Sequence, residues 1–211
     1  MIFAVDLSSR LGGIALLSES GEVVAVQEWE DASARHLAFW PALRRLVAES
    51  IPDWSTIRLF AAGRGPGSYS GLRAALTAVR MLAAPGGQPI RAVSSAAATA
   101  LEWWEKSSGT PSRVVVAGDA RRGCVWYAEF EPVPGGVVRV GEYRVIPAAE
   151  FRDIASRATV ISSEPERLAQ SAAIPSASII TAYPTAKSVG RLARSAAHEE
   201  PWEPLYLHPP V

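Results

Sequence analysis

Cysteine is almost missing from this chain, and histidine nearly so. Cys124 is the single cysteine among 211 residues, and His36, His198 and His208 are the three histidines. One cysteine excludes an internal disulfide and any multi-cysteine metal site, and it fits a reducing compartment. No two histidines stand at the i, i+3 or i, i+4 spacing of a helical metal site. Cys124 has no adjacent histidine to activate it and falls within an expected strand, so it reads as a buried thiol. Net charge is also lacking, since acids and bases balance at 21 each. That total advertises neither a nucleic-acid binder nor a membrane-surface binder, although a local basic face is compatible with it. Nowhere does the chain hold about 18 uninterrupted apolar residues. The opening Met1-Ile2-Phe3-Ala4-Val5-Asp6 has neither the basic start nor the length of a secretion signal. A cytoplasmic protein without membrane contact is the expectation. There is no G-x-S-x-G elbow, and no nucleophile–base pair or metal triad can be assembled. The chain is therefore expected to have no active site, metal or cofactor of its own.

What is present is ordinary globular composition, 48% hydrophobic and 20% charged. Short apolar runs at Ile2–Leu7, Gly13–Leu17 and Val23–Trp29 predict three strands of a meander. A helix is expected over 32–50, with Asp31 or Ser33 as N-cap and Pro41 starting or kinking it. A strand over Ile57–Ala62 then leads into a glycine-rich loop, a helix over Ser70–Ala84, a strand over Ile90–Val93 and a helix over Ser95–Glu105. This βββαβα order fills the first half. The second half restarts with strands at Val114–Ala117, Val125–Phe130 and Val137–Val145. Weaker apolar runs follow at Thr159–Ser162 and Ser178–Thr181, and a closing helix is expected over Thr185–Ala197. Two lobes are expected, 1–108 and 109–211, the second a diverged structural duplicate of the first.

Three stretches carry candidate chemistry. The loop Gly65-Pro66-Gly67-Ser68-Tyr69-Ser70-Gly71-Leu72-Arg73 joins a strand to a helix N-terminus. It has two readings, a tight structural turn capped by Ser68 or Ser70, or an anion cradle. It lacks the P-loop lysine and is not a GxGxxG fingerprint. Asp6-Leu7-Ser8-Ser9 ends the first strand, where an acid and hydroxyls either face phosphates or form a capped turn. Asp119-Ala120-Arg121-Arg122-Gly123 reads as an ion-paired hairpin turn or as a phosphate contact. On the helices, Leu72, Ala75, Leu76, Val79, Leu82 and Ala83 form one stripe and Phe39, Leu43, Leu46 and Val47 another. Ala74 and Ala78 stand beside the first stripe, and Leu37 and Trp40 point away from the second. Both helices are thus candidates for a second packed side, on a partner.

In order along the chain, Ala4-Val5-Asp6-Leu7-Ser8-Ser9, the loop GPGSYSGLR from Gly65 to Arg73, Val93-Ser94-Ser95, Asp119 to Gly123 and Glu203-Pro204-Leu205-Tyr206-Leu207 resemble the TsaB (YeaZ) family. The loop is the specific element, close to that family's GPGSFTGLR. The resemblance implies an α/β fold of the actin/Hsp70/hexokinase (ASKHA) type, two βββαβα lobes with the second reduced. It implies a non-catalytic subunit that binds TsaD and, with the ATPase TsaE, serves threonylcarbamoyl transfer to N6 of adenosine 37 in tRNAs reading ANN codons. ATP and metal then belong to the partner subunits, tRNA is reached through the complex, and a homodimer is expected when TsaD is absent. The helices over 35–50 and 71–84 would meet TsaD, with Leu37, Trp40, Arg44, Arg73, Ala74, Thr77, Ala78 and Met81 in contact. Asp6, Ser8, Gly65, Gly67 and Ser68 form the candidate nucleotide or anion loop. Leu7 replaces the family's threonine, and Tyr69 and Ser70 replace phenylalanine and threonine. The alternatives are a small phosphotransferase of the same fold, an ATP-dependent kinase, and a peptidase.

Overall fold

The computed structural model describes residues 1–30, 38–51, 53–107 and 112–207. They fall into two compact units, Met1–Ala98 with Pro184–Leu205, and Thr99–Tyr183 with Tyr206–Val211. A single cut at 108/109 was expected; the chain instead leaves the first unit at Ala98/Thr99 and returns to it at Pro184.

In the first unit, β1 (Ile2–Asp6), β2 (Leu11–Leu17) and β3 (Val23–Glu30) form an antiparallel meander. Helix α1 (Phe39–Ser50), β4 (Leu59–Gly63), α2 (Tyr69–Ala83) and β5 (Ile90–Val93) follow, and α3 (Ser95–Lys106) starts in this unit and runs on into the second. Strands β4 and β5 join β1 in parallel, which gives the sheet order β3-β2-β1-β4-β5. The pleat sorts β1 by parity. Phe3, Val5 and Leu7 enter a core cluster with Phe39, Leu43 and Leu46 of α1 and Ala75, Leu76 and Val79 of α2. Each fully buried Leu or Phe here contributes about 1.5–3 kcal/mol. Helix α1 lies over β3 and β2, and α2 lies over β4 and β1, so the two form one layer on one face of the sheet. The other face receives α6 (Ala186–Ala193), where Gly190 lets the helix settle against Ala4 and Leu17.

Boundaries differ from expectation where capping decides them. The described part of α1 begins at Phe39, and its cap position, Ala38, offers no side-chain bond. Asp31 and Ser33 lie outside the described residues. The Thr185 hydroxyl accepts from the Ser188 N–H to start α6, which ends at Ala193 and gives way to a 3-10 turn over Ala196–His198. Past that turn the chain straps back over the unit. Glu200 N–H donates to Ala92 O at 2.9 Å, and Leu205 N–H donates to Arg64 O at 2.8 Å. The buried Arg64 places Nη1 at 2.6 Å from Glu200 Oε2 and donates Nε to Glu203 O at 2.7 Å. Glu200→Gln keeps the shape and removes the charge, so it should cost about 2 kcal/mol, the worth of a charge-assisted bond. A denaturant midpoint equal to the parent's would show that the strap is held by its backbone alone.

The second unit repeats the plan. Strands β6 (Val114–Arg121), β7 (Cys124–Val133) and β8 (Gly136–Pro147) form a meander, then come α4 (Ala148–Ala155), β9 (Val160–Ser162), α5 (Pro165–Ala172) and β10 (Ile179–Thr181). The sheet order β10-β9-β6-β7-β8 is the order of the first sheet, strand for strand, with the last two strands again parallel. The expected duplication is therefore present in topology. The reduction lies in the helices, because α4 and α5 have eight residues each where α1 has 12 and α2 has 15. Phe151 of α4 and Leu168 of α5 pack with Val115, Tyr127 and Val160 as this unit's core. Cys124 opens β7 half-buried, less enclosed than expected.

Candidate functional site

The glycine loop is built on contacts to its own neighbours. Asp6 ends β1 fully buried, and Ser8 donates to its Oδ1 from both N–H (2.8 Å) and Oγ (2.7 Å). Ser95, at the start of α3, donates Oγ to Asp6 Oδ2 at 2.8 Å and accepts from Gly65 N–H at 3.0 Å. Gly65 O in turn accepts from Ser95 N–H at 2.8 Å, and Ser68 N–H donates to Ser8 O at 2.7 Å. Ser68 caps α2 by accepting from Gly71 N–H at 3.3 Å; Ser70 is exposed in the first turn. The Gly65–Pro66 peptide is cis. Two glycines have no room for a side chain. A Cβ on Gly63 would run into Asp6 Oδ2, and one on Gly67 would run into Ser8 O. The loop's polar groups are thus spent on bracing β1, α2 and α3 against one another. Of the residues expected to face an anion, Asp6, Ser8 and Gly65 are buried, Ser68 is half-buried and Gly67 is exposed.

Burial pushes the Asp6 carboxyl up from 3.8 to about 6, against the lowering effect of its bonds from Ser8 and Ser95. A raised folded-state value means stability is full at low pH and is lost as pH rises through the folded value. The move from 3.8 to about 6 corresponds to about 3 kcal/mol lost between pH 4 and 6. Asp6→Asn should remove that segment of the stability–pH curve. A difference curve between variant and parent that stays flat from pH 4 to 7 would show that Asp6 is ionised without penalty.

In the second unit Asp119 is tied down as the ion-paired reading required. Its Oδ2 accepts from Arg167 Nε at 2.8 Å, and its Oδ1 accepts from Arg121 N–H at 2.9 Å and Ser171 Oγ at 3.1 Å. Glu164 Oε1 accepts from Asp119 N–H at 3.1 Å. The Glu164 carboxyl is pushed up to about 7 by burial, with the Asp119 charge adding to the rise, though its side chain remains 37% exposed and water screens much of this. Arg167 and Ser171 were not foreseen, because α5 itself was not read. Among the described residues no three His, Cys, Asp or Glu side chains converge as a metal-holding group.

The α1–α2 layer is different, because large apolar groups stand on its outer side. Trp40 is 59% exposed, Tyr69 61% and Met81 69%. On α2 the outward line is Tyr69, Arg73, Thr77 and Met81, each four residues after the last, with Arg80 beside it. Ala74 is half-buried next to that line. On α1 Trp40, Pro41, Arg44, Arg45, Val47 and Ala48 line a shallow groove. Ala78 departs from expectation. It is only 7% exposed and packs into the unit's own core, since α2 lies flat on β4 and β1 and buries a wider arc than one stripe. Leu37 lies outside the described residues. Arg45, Tyr69 and Arg80 were missed, although their i+4 and i+1 relation to the named residues was available.

A family model described as TsaD, tRNA N6-adenosine threonylcarbamoyltransferase, matches residues 28–192. The Escherichia coli K12 protein named tRNA threonylcarbamoyladenosine biosynthesis protein TsaB is 31% identical over 137 residues, 64% of this chain and 57% of that protein. Two solved Pseudomonas aeruginosa structures, one titled YeaZ and one titled as similar to peptidase YeaZ, superpose with TM-scores of 0.75 and 0.77 at 25% identity. Each covers 98% of this chain, and this chain covers 99% and 98% of theirs. This chain belongs to the TsaB/YeaZ family. The match spans a little over half the length of the Escherichia coli relative and nearly all of the Pseudomonas chains. In this TsaB/YeaZ chain Leu7 is fully buried in the core cluster, so the threonine-to-leucine departure places a methyl-bearing side chain among Phe3, Val5 and Phe39. No helix of the described residues is long and apolar enough to cross a membrane.

Proposed function

We propose that this chain is a scaffold and activator subunit, without an active site of its own, in the biosynthesis of threonylcarbamoyladenosine on tRNA. It binds TsaD through the outer side of α1 and α2, and TsaE joins that pair. The observation that carries this reading is the exposure of Trp40, Tyr69 and Met81 on one helical layer, because large apolar groups gathered on a surface favour a partner. Family membership directs the choice of partner. The internal satisfaction of the Asp6–Ser8–Ser95–Gly65 bonds supports a structural role for the loop over nucleotide handling. ATP and metal are assigned to the partner subunits, tRNA is met through the complex, and the setting is the cytoplasm. In the absence of TsaD the same face is expected to pair two copies of this chain.

The test is co-purification with the TsaD of the same organism, followed by molar mass in solution. A stable pair that modifies tRNA only when TsaE is added supports the proposal. A folded chain that leaves TsaD alone, with TsaD fully active by itself, overturns it.

A further inference from the structure

The strap over residues 199–205 lies in a seat that the rest of the first unit builds without it. Strand β5 is at the end of the sheet, ordered by its parallel bonds to β4. Arg64 is fixed by its own N–H bond to Val93 O at 2.9 Å, and it is only 6% exposed. Into this seat the strap brings an antiparallel bridge from Glu200 to Ala92, the Glu200 carboxylate for Arg64 Nη1 and the Glu203 carbonyl for Arg64 Nε. Trp202 packs against the core cluster with the Arg80 guanidinium of α2 5.9 Å over its ring. Glu199 Oε2 lies 3.3 Å from Arg91 Nε. The strap has no helix or strand of its own, and Pro201 and Pro204 cannot donate to a ladder. Ahead of it, residues 194–197 are exposed. The 3-10 turn Ala196–His198 stands between two extended residues, Ser195 (φ −102°, ψ 130°) and Glu199 (φ −71°, ψ 128°). Straightening that turn redirects the strap and leaves α6 in place.

An empty seat would leave the Arg64 guanidinium buried without its carboxylate and Ala92 O open on a sheet edge, both of them costly. The seat therefore requires an extended, carboxylate-bearing segment, whichever chain supplies it. We propose that a second copy of this chain supplies it by exchange of straps, the Glu200 of each copy closing on the Arg64 of the other and each Trp202 on the other's Arg80. The occupant follows from identity of sequence. A second strap reproduces every contact that the first one makes, so exchange between copies sacrifices none of them. Any other acidic segment would have to match the carboxylate, the indole and both prolines at once. The exchange uses neither Trp40 nor Met81, and it goes beyond the scaffold reading without depending on it.

The experiment measures molar mass in solution for a chain whose hinge is shortened by deletion of Ala196 and Ala197, since a strap that cannot reach back is driven onto a second copy. The same chain carries Trp40→Ala/Met81→Glu, which removes pairing through the outer helical faces. The expected result is a folded dimer, and adding Glu200→Gln should raise its dissociation constant roughly thirtyfold or more. A folded monomer overturns the proposal, and so does a dimer that is indifferent to Glu200→Gln. If the shortened chain does not fold, the seat is probed directly with a labelled peptide of residues 199–205 on the full-length Glu200→Gln protein. Saturable binding by fluorescence anisotropy, lost when glutamine replaces the glutamate at position 200 of the peptide, shows that a strap from another molecule enters the seat. No binding up to millimolar peptide overturns the proposal.

Discussion

Gly67→Ala should strip about 4 kcal/mol from the first unit and lower its melting temperature by roughly 10 °C. The added Cβ is directed at Ser8, 2.7 Å from its Cβ and 2.9 Å from its backbone C, neither of which is the yielding tip of a long side chain. Making room means parting the turn after β1 from the loop before α2. That breaks the Ser68 N–H bond to Ser8 O and exposes the Asp6 carboxyl, which depends on Ser8 for two of its three bonds. Gly63→Ala should behave alike for a related reason, because its Cβ would displace Asp6 Oδ2 and lie 2.7 Å from Ser95 Oγ. Ser70→Ala, an exposed neighbour in the same motif, is the control and should move stability by less than about 0.5 kcal/mol. Thermal melts of the three variants decide the matter. Melting of Gly67→Ala within a degree or two of the parent would mean that the loop slides freely past Ser8, and that its glycines answer to something outside the chain.

The second large effect belongs to the partner surface. The double variant Trp40→Ala/Met81→Glu should weaken TsaD binding by roughly a thousandfold, about 4 kcal/mol, with no loss of the chain's own stability. Trp40 stands edge-on to Phe39 with ring centroids 5.0 Å apart, yet most of its surface faces outward, so truncation removes contact area for a partner and little from the core. Met81 faces outward still more fully, and a glutamate there would have to be desolvated unpaired in a complex. Thr77→Trp is the companion test of helix approach. Ala78→Trp would not serve, because Ala78 is part of the core and its enlargement would damage the chain whether or not a partner exists. Affinity unchanged in the double variant, with the protein folded, would remove α1 and α2 from the interface.

Periodicity and turn chemistry made the strands legible. The two meanders, the strand at Ile90–Val93 and the loop before α2 could all be read from short apolar runs bounded by glycine, proline and serine. Helices α4 and α5 could not. Eight residues give barely two turns, and α4 buries only Ala148 and Phe151, too few points to define a period of 3.6. The loop's role was open in the sequence because its glycines suit a tight turn and an anion cradle equally. The distances from Ser8 and Ser95 to Asp6, and the missing space at Gly63 and Gly67, account for the glycines as parts of a tight turn, and neither could be read from the sequence. Arg64 could not have been matched with Glu200 either, since nothing local ties residues so far apart in the chain.

The return of α6 to the first unit has a consequence for the living cell. Synthesis runs from the N-terminus, so β1 to β5 and the helices above them leave the ribosome while Ala4 and Leu17, on the opposite face, still wait for Gly190 and its neighbours. The strap from Glu200 to Leu205 that locks Arg64 arrives later again. The second sheet, drawn from one unbroken stretch between Val114 and Thr181, holds all its strands before the first unit can be closed. Nascent chains of this protein therefore mature against the usual N-terminal-first order, and the earlier-made of the two sheets stays half-covered, within reach of chaperones, until α6 has followed the whole second sheet out.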